Sequence, residues 1–362
     1  MSYLDSIEDK SFRLKAKVLT QHMEIKMNSS SDELLVIKLL EETTTLQVIR
    51  DFLKGKGLHH SASSWEQLRS ERILPALREC KINNQDLINL LQSAEEYRLQ
   101  HVFLFKCSNE EKLHTLLDRE RIGKILTKME LGDILIKPKI LDQPQLPTIV
   151  DVRLDKSGLI IKIIETRISE KLLKEVFNED ETVSRVYKKV SERAVNVVRL
   201  RTSGELELCL ASQSGKSYQK NLNNIWSLVE EIIPAQDFSE VYLNRAKNLL
   251  WKNREDYAQN LLRFSSLGAR NDKGTLLTIA SGSRDTNLFK DNGANVSAES
   301  FVSHDGYCEN YNFWLLQQEN QGIPTEDIHV TISGELNEFS INPHSREENY
   351  EYAIKLLRQL NS

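Results

Sequence analysis

The sequence predicts an α+β protein: an N-terminal helical domain followed by a mainly antiparallel sheet with helices packed on one face, built from strand-strand-helix units. Three observations carry this reading. Up to about Leu131 apolar residues recur mainly at helical spacings; Pro138, Pro144 and Pro147 then interrupt the chain; beyond them, pairs of strand-like runs around tight turns are followed by helices.

Taken in order, Asp32 to Leu53 places Leu34, Leu35, Ile37, Leu39 and Leu40, then Leu46, Val48, Ile49 and Leu53, on a helical period, and Gly55 and Gly57 end it. Ser63 or Ser64, with Glu66 or Gln67 three residues on, forms a capping box that opens the next helix at Trp65 and Leu68. Asn84 and Asp86 mark a further start, Gln100 to Lys106 has the aromatic and branched content of a strand, and about Asn109 to Lys128 is helical. The domains expected are a mainly helical region over 1–137, a proline-containing linker over 138–148, an α+β domain with a basic surface over 149–264, a polar loop over 265–295 and an acidic α+β region over 296–362, packed on the domain before it.

Within the later domains Ile149 to Leu154 and Leu159 to Thr166 flank a turn at Asp155 to Gly158, and Ser169 to Phe177 reads as a helix. Val195 to Leu200 and Glu205 to Ala211 flank Thr202 to Gly204, ahead of a helix over Asn221 to Ile233. Ile328 to Ile332 and Leu336 to Ile341 flank Ser333 to Glu335, ahead of a helix over Arg346 to Leu360. The last two turns share Ser-Gly-Glu-Leu, at Ser203 and at Ser333, which is either a degenerate internal repeat or ordinary hairpin chemistry. Asn244 to Phe264 reads as one long amphipathic helix, and within the polar loop that follows only Leu276 to Ala280 looks ordered.

Composition narrows the function classes. With 40% hydrophobic and 28% charged residues in 362, the chain is globular, and no apolar run approaches the ~20 residues of a membrane-spanning helix. Cys80, Cys107, Cys209 and Cys308 are far apart and form no CxxC pair, so they read as reduced thiols. The expected location is the cytoplasm, or the nucleus in a eukaryote, with no membrane partner.

The net charge of −5 is unevenly spread. Val183 to Arg201 holds six basic residues and one acid, Glu192, whereas Glu299 to Glu351 holds eleven acids and one base, Arg346. Arg185, Tyr187, Lys188, Lys189 and Arg193 are expected on a helix, with Arg199 and Arg201 on the following strand, together lining a groove for phosphates or another polyanion. Opposed to this is a plain solvated face paired with the acidic C-terminal third, which could also cover the basic surface in the free protein.

Catalytic constellations are incomplete. Asp151 with Glu165 and Arg167 matches in kind the acid pair and basic residue of metal-dependent nucleases, although Arg cannot accept a proton as Lys can; the bland account is polar outward positions of a hairpin. Ser214-Gly-Lys-Ser217 has the tail of a P-loop, but Leu210 stands where its first glycine belongs. His304, Cys308, His329 and His344 do not make the ligand pairs of a structural zinc site, and Ser303, His304 and Asp305 are neighbours in sequence rather than a triad assembled in space.

The domain order resembles the centromere-protein-N class of nucleosome readers in layout, and no motif carries residues of that class onto this chain. The leading expectation is a non-enzymatic binding or adaptor protein with a protein partner, holding nucleic acid or another polyanion through the central basic surface and needing no cofactor or metal. One alternative is a metal-dependent nuclease or phosphoesterase using Asp151 and Glu165 with Mg. Another is a structural subunit of a multiprotein complex, with Tyr307, Tyr311, Phe313 and Trp314 as interface candidates.

Overall fold

Strands with apolar residues on both faces must be covered on both sides, and β1 (Gln100–Lys106) shows what this chain does about it. Phe103 and Phe105 point into one apolar core, Val102 and Leu104 into another. The structure, a computed structural model, describes residues 32–98, 100–177, 182–212, 218–318, 323–334, 337–341 and 346–362. By its internal contacts the chain divides into two compact units, with the division between Ala94 and Glu95.

The first unit is helical among its described residues. Helix α1 (32–43) and α2 (Leu46–Gly55) are separated by Thr45, whose hydroxyl caps α2 by accepting from the Val48 N–H. The expected capping box is present: Ser64 Oγ accepts from Gln67 N–H at 3.2 Å while Gln67 Oε1 accepts from Ser63 N–H at 2.8 Å. Helix α3 (Trp65–Leu68) continues through a π turn (Arg69–Ile73) into α4 (Leu74–Arg78). Pro75, which can donate no backbone hydrogen bond, is the second residue of α4, just beyond that widened turn. Helix α5 (Asn84–Glu96) follows and runs two residues past the division, and Leu40, Leu53, Leu68, Ile73, Leu87 and Leu91 are buried.

The second unit is an eleven-stranded sheet, antiparallel at every pairing among the described residues. Its order is β2 (Thr148–Leu154), β3 (Gly158–Phe177), β4 (Val183–Arg201), β5 (Glu205–Ala211), β1, β11 (Glu338–Ile341), β10 (Ile328–Ile332), β9 (Gly306–Leu315), β7 (Leu262–Asn271) and β8 (Leu276–Ala280), with β6 (Ser239–Glu240) also on β1. Helices α6 (Glu110–Leu116), α7 (Arg119–Lys128) and α8 (Gln219–Val229) pack Leu116, Ile122, Leu126, Leu222 and Val229 onto one face of the β1–β5 half. Helices α9 (Asn244–Lys252), α10 (Arg254–Asn260), α11 (Asn292–Ser303) and α12 (Glu347–Asn361) supply the other core, against Phe264, Tyr311, Phe313 and Phe339. The expectation of helices on one face thus holds within each half, and the two layers lie on opposite faces of the continuous sheet.

Several expected elements differ. Because β1 is a central strand, the chain divides at Ala94 and Glu95 rather than in the proline segment 138–148. Leu276 to Ala280 is ordered as expected, as β8, but the rest of the polar stretch over 265–295 is not all loop: it contains most of β7, joined to β8 by a turn with Gly274 at φ +81, and the start of α11. The long helix expected over Asn244 to Phe264 is α9 and α10, and β7 begins at Leu262. Ser169 to Phe177 and Arg185 to Arg193 are strand rather than helix, since the β3–β4 ladder runs without interruption from Gly158↔Arg201 to Phe177↔Val183 apart from one bulge. Gly158 makes that ladder possible: its φ is +137, and a Cβ there would stand 2.0 Å from the Leu200 carbonyl oxygen.

Candidate functional site

Strand geometry settles the fate of the carboxylate pair first. Asp151 of β2 lies opposite Lys162 of β3, and Glu165 is three residues further along β3, so side-chain alternation puts the two carboxylates on opposite faces of the sheet. Asp151 is buried with Arg153 Nε 3.0 Å from its carboxylate. On the other face Arg167 donates to Glu165 Oε1 at 2.5 and 2.8 Å and to the Ala211 carbonyl at 2.8 Å, and Asn196 donates to the same Glu165 oxygen at 3.0 Å. The structure does not bring Asp151 and Glu165 together, and each has a local cationic partner.

The basic residues separate into two groups. Arg193, Arg199 and Arg201 stand at the root of β4 and are used within the fold. Arg193 pairs with Glu95 and donates to the Leu141 carbonyl at 2.8 Å. Arg199 is buried between two rings, its guanidinium 4.9 Å from the centroids of both Tyr97 and Tyr350, and donates to the Glu96 carbonyl at 2.6 Å. Arg201 donates to Glu207 at 2.9 Å and to Glu351 at 2.7 Å. Burial opposes the charged form of Glu207, but Arg201 and Arg199 outweigh it and hold its carboxyl below the ordinary range. The acidic C-terminal helix therefore does meet basic residues of β4, through Tyr350 and Glu351. It meets them as part of the core, since Tyr350, Ala353, Ile354 and Leu357 are buried there.

A second buried network beside these arginines is not anticipated from the sequence. Lys162 Nζ is 2.7 Å from Glu95 Oε2 and 3.8 Å from Glu96 Oε1, and Arg153 pairs with Glu96. The signal that could have found it is Lys162 itself, a lone charge inside the apolar run Leu159 to Ile164.

Arg185, Tyr187, Lys188 and Lys189 have a different setting. Beyond Glu165 on β3 and Arg193 on β4 the two strands leave the body of the sheet as a two-stranded ribbon whose residues are mostly exposed. Period-two alternation, reset by a bulge at Leu173, sorts the side chains onto two faces. One face carries the rows Ile168 and Ser191, Glu170 and Lys189, Leu172 and Tyr187, Glu175 and Arg185, and Phe177 and Val183. Its apolar members are open to solvent: Phe177 is 79% exposed, Ile168 68%, Tyr187 50%, Leu172 49% and Val183 46%. Arg185 Nε donates to Glu175 at 2.8 Å on this face.

The opposite face of the ribbon carries Lys171, Lys174 and Lys188, interleaved with Val190, Val186 and Val176. Lys171 stands directly across from Lys188, and Lys174 follows the bulge on the same side. Glu192, 3.1 Å from Lys171, is the acid on this part of the face. The ribbon thus divides the basic residues expected to share one groove, with Lys188 on this face and Arg185, Tyr187 and Lys189 on the apolar one, and β3 adds Lys171 and Lys174.

The remaining motifs do not assemble. His304 Nδ1 is 2.7 Å from the Ser300 carbonyl, to which only a protonated Nδ1 can donate, so that nitrogen is not a base for Ser303. Cys308 is buried, no cluster of His, Cys, Asp or Glu among the described residues could hold a metal ion, and His344 lies outside the described residues. The P-loop-like segment at 214–217 also lies outside them, as does part of the Ser333 turn. Tyr311 and Phe313 are core residues, Trp314 is nearly so, and Tyr307 is half exposed. No helix of the described residues is long and apolar enough to cross a membrane. Searches against protein-family models and against curated proteins find no match for this chain.

Proposed function

We propose that the chain is a binding or adaptor protein that holds a polyanion, with nucleic acid as the leading class, on the basic face of the β3–β4 ribbon. The observation that carries this reading is the cross-strand pair Lys171 and Lys188. Like charges directly opposite one another destabilise an antiparallel pair; Glu192 at 3.1 Å from Lys171 offsets part of that cost, and a bound row of phosphates would convert the rest into an attraction. Lys174 extends the positive row, and a two-stranded ribbon is narrow enough to enter a duplex major groove. The arginines at the root of β4 have no part in the binding, because Arg193, Arg199 and Arg201 are committed to Glu95, Glu96 and Glu207.

The test is titration of the purified chain with labelled duplex and single-stranded DNA and RNA across a salt series, with and without magnesium. Salt-sensitive binding is expected, and it should weaken when Lys171, Lys174 and Lys188 are changed together to Ala. The slope of log affinity against log salt should fall by about 0.9 for each duplex phosphate that the variant no longer neutralises. Absence of binding at low salt, an unchanged affinity in the triple variant, or magnesium-dependent cleavage would each overturn the proposal.

A further inference from the structure

The apolar face of the ribbon is self-complementary, and we infer that it packs against the same face of a second copy of this chain. This inference concerns the face opposite Lys171, Lys174 and Lys188 and stands independently of polyanion binding.

Five apolar side chains on one side of a projecting two-stranded ribbon are unusual for a free surface, because a lone ribbon has no second layer to cover them. Their setting selects the occupant. The face carries two acids, Glu170 and Glu175, and two bases, Lys189 and Arg185, so it has no net charge to attract a polyanion or a strongly charged peptide. Its rows alternate apolar, charged, apolar, charged, apolar, with Leu172 and Tyr187 at the centre. Both acids lie on β3 and both bases on β4.

That distribution distinguishes the two ways a twofold axis can stack two such ribbons. With the axis across the strands, β3 faces β3 in the opposite direction, and Glu170 meets Glu175 while Lys189 meets Arg185. Like charges then oppose one another at every charged row. With the axis along the ribbon, β3 of one copy faces β4 of the other in the same row. Glu170 then meets Lys189, Glu175 meets Arg185, Leu172 meets Tyr187 and Phe177 meets Val183. Each charged position is matched and each apolar position covered, in a two-layer arm about 10 Å thick between its sheets. The basic faces with Lys171, Lys174 and Lys188 lie on the two outer sides of that arm.

Sedimentation velocity of the full chain over a range of concentrations tests the assignment. Three forms are compared with wild type: a basic variant, Glu170→Lys with Glu175→Lys; an acidic variant, Lys189→Glu with Arg185→Glu; and an uncharged control, Leu172→Ser with Phe177→Ser. The wild-type chain is expected to dimerise. Each charge variant alone is expected to raise the dissociation constant at least about a hundredfold, since like charges brought together cost several kcal/mol, and the control is expected to raise it similarly, since it takes two large apolar side chains out of the contact. An equimolar mixture of the basic and acidic variants is expected to recover the dimer. Far-UV circular dichroism and melting establish that each variant is folded; if the charge variants are not, the control decides. A wild-type chain that remains monomeric, variants that dimerise as wild type does, or a mixture of folded charge variants that stays monomeric would overturn the inference.

Discussion

Lys162 Nζ stands 2.7 Å from Glu95 Oε2, and neither side chain is more than 5% exposed. Two charges so placed have given up most of their hydration and are held by each other and by their neighbours, Arg193 on Glu95 and Glu96 beside Lys162. Removing one of them leaves a buried charge without its compensation. Lys162→Met is therefore expected to lower unfolding stability by about 3–5 kcal/mol. Urea denaturation checks this through a lower midpoint at constant slope; a midpoint close to that of wild type would show that Arg193 alone satisfies Glu95.

Stability should also fall on acidification, and the direction follows from Glu95 and Glu207. Burial works against the ionised form of both carboxyls, but Lys162 and Arg193 outweigh it at Glu95, as Arg201 and Arg199 do at Glu207. Both are held below the ordinary carboxylate value of 4.5 in the folded chain. A depressed folded value means that stability is fully present above the unfolded value and is lost as pH falls through the folded one. Melting temperature should thus be level as pH falls toward about 5 and decline below about 4.5. Glu207→Gln should shallow that decline, and an unchanged acid profile in this variant would count against the assignment.

Thiol chemistry distinguishes one cysteine from three. Cys80 is exposed, whereas Cys107, Cys209 and Cys308 are buried. Burial pushes the thiols of Cys209 and Cys308 up to about 11, away from the reactive thiolate. Brief iodoacetamide treatment of the native chain at about pH 8 should modify Cys80 alone, and treatment in denaturant all four, as read by peptide mass spectrometry. Cys209 Sγ lies 3.1 Å from the Arg199 guanidinium and 3.5 Å from the Tyr350 hydroxyl, and rapid native labelling of it would contradict that placement.

Much of the fold is legible in the sequence because its signals are local. The Ser64 and Gln67 capping box and the short apolar runs of Ile149 to Leu154 and Leu159 to Ile164 depend on residues a few positions apart. The β3–β4 ribbon is misread from sequence for a physical reason. Ser169 to Val176 is rich in Glu, Lys and Leu, residues of good helix propensity, and what holds it extended is hydrogen bonding to Val183 to Arg193 across the ladder. The basic site is half legible. Charge alone singles out Lys188 and Arg199 equally, but the Tyr97 and Tyr350 rings that enclose Arg199 come from segments about 100 and 150 residues away, and no local pattern announces them. The separation of Asp151 from Glu165 needs the strand register, which places Lys162 opposite Asp151.

The position of β1 sets an order of events in synthesis. One side of β1 pairs with β5, but the other awaits β6 and β11, with Gln100 opposite Ile341. At roughly 5–20 residues per second on the ribosome, the partner of Gln100 is made some tens of seconds after it. Throughout that interval the nascent chain carries an open strand edge at what becomes the middle of its sheet, a site where a neighbouring nascent chain can pair wrongly. The last strand is thus also the closure that ends the aggregation risk of the first.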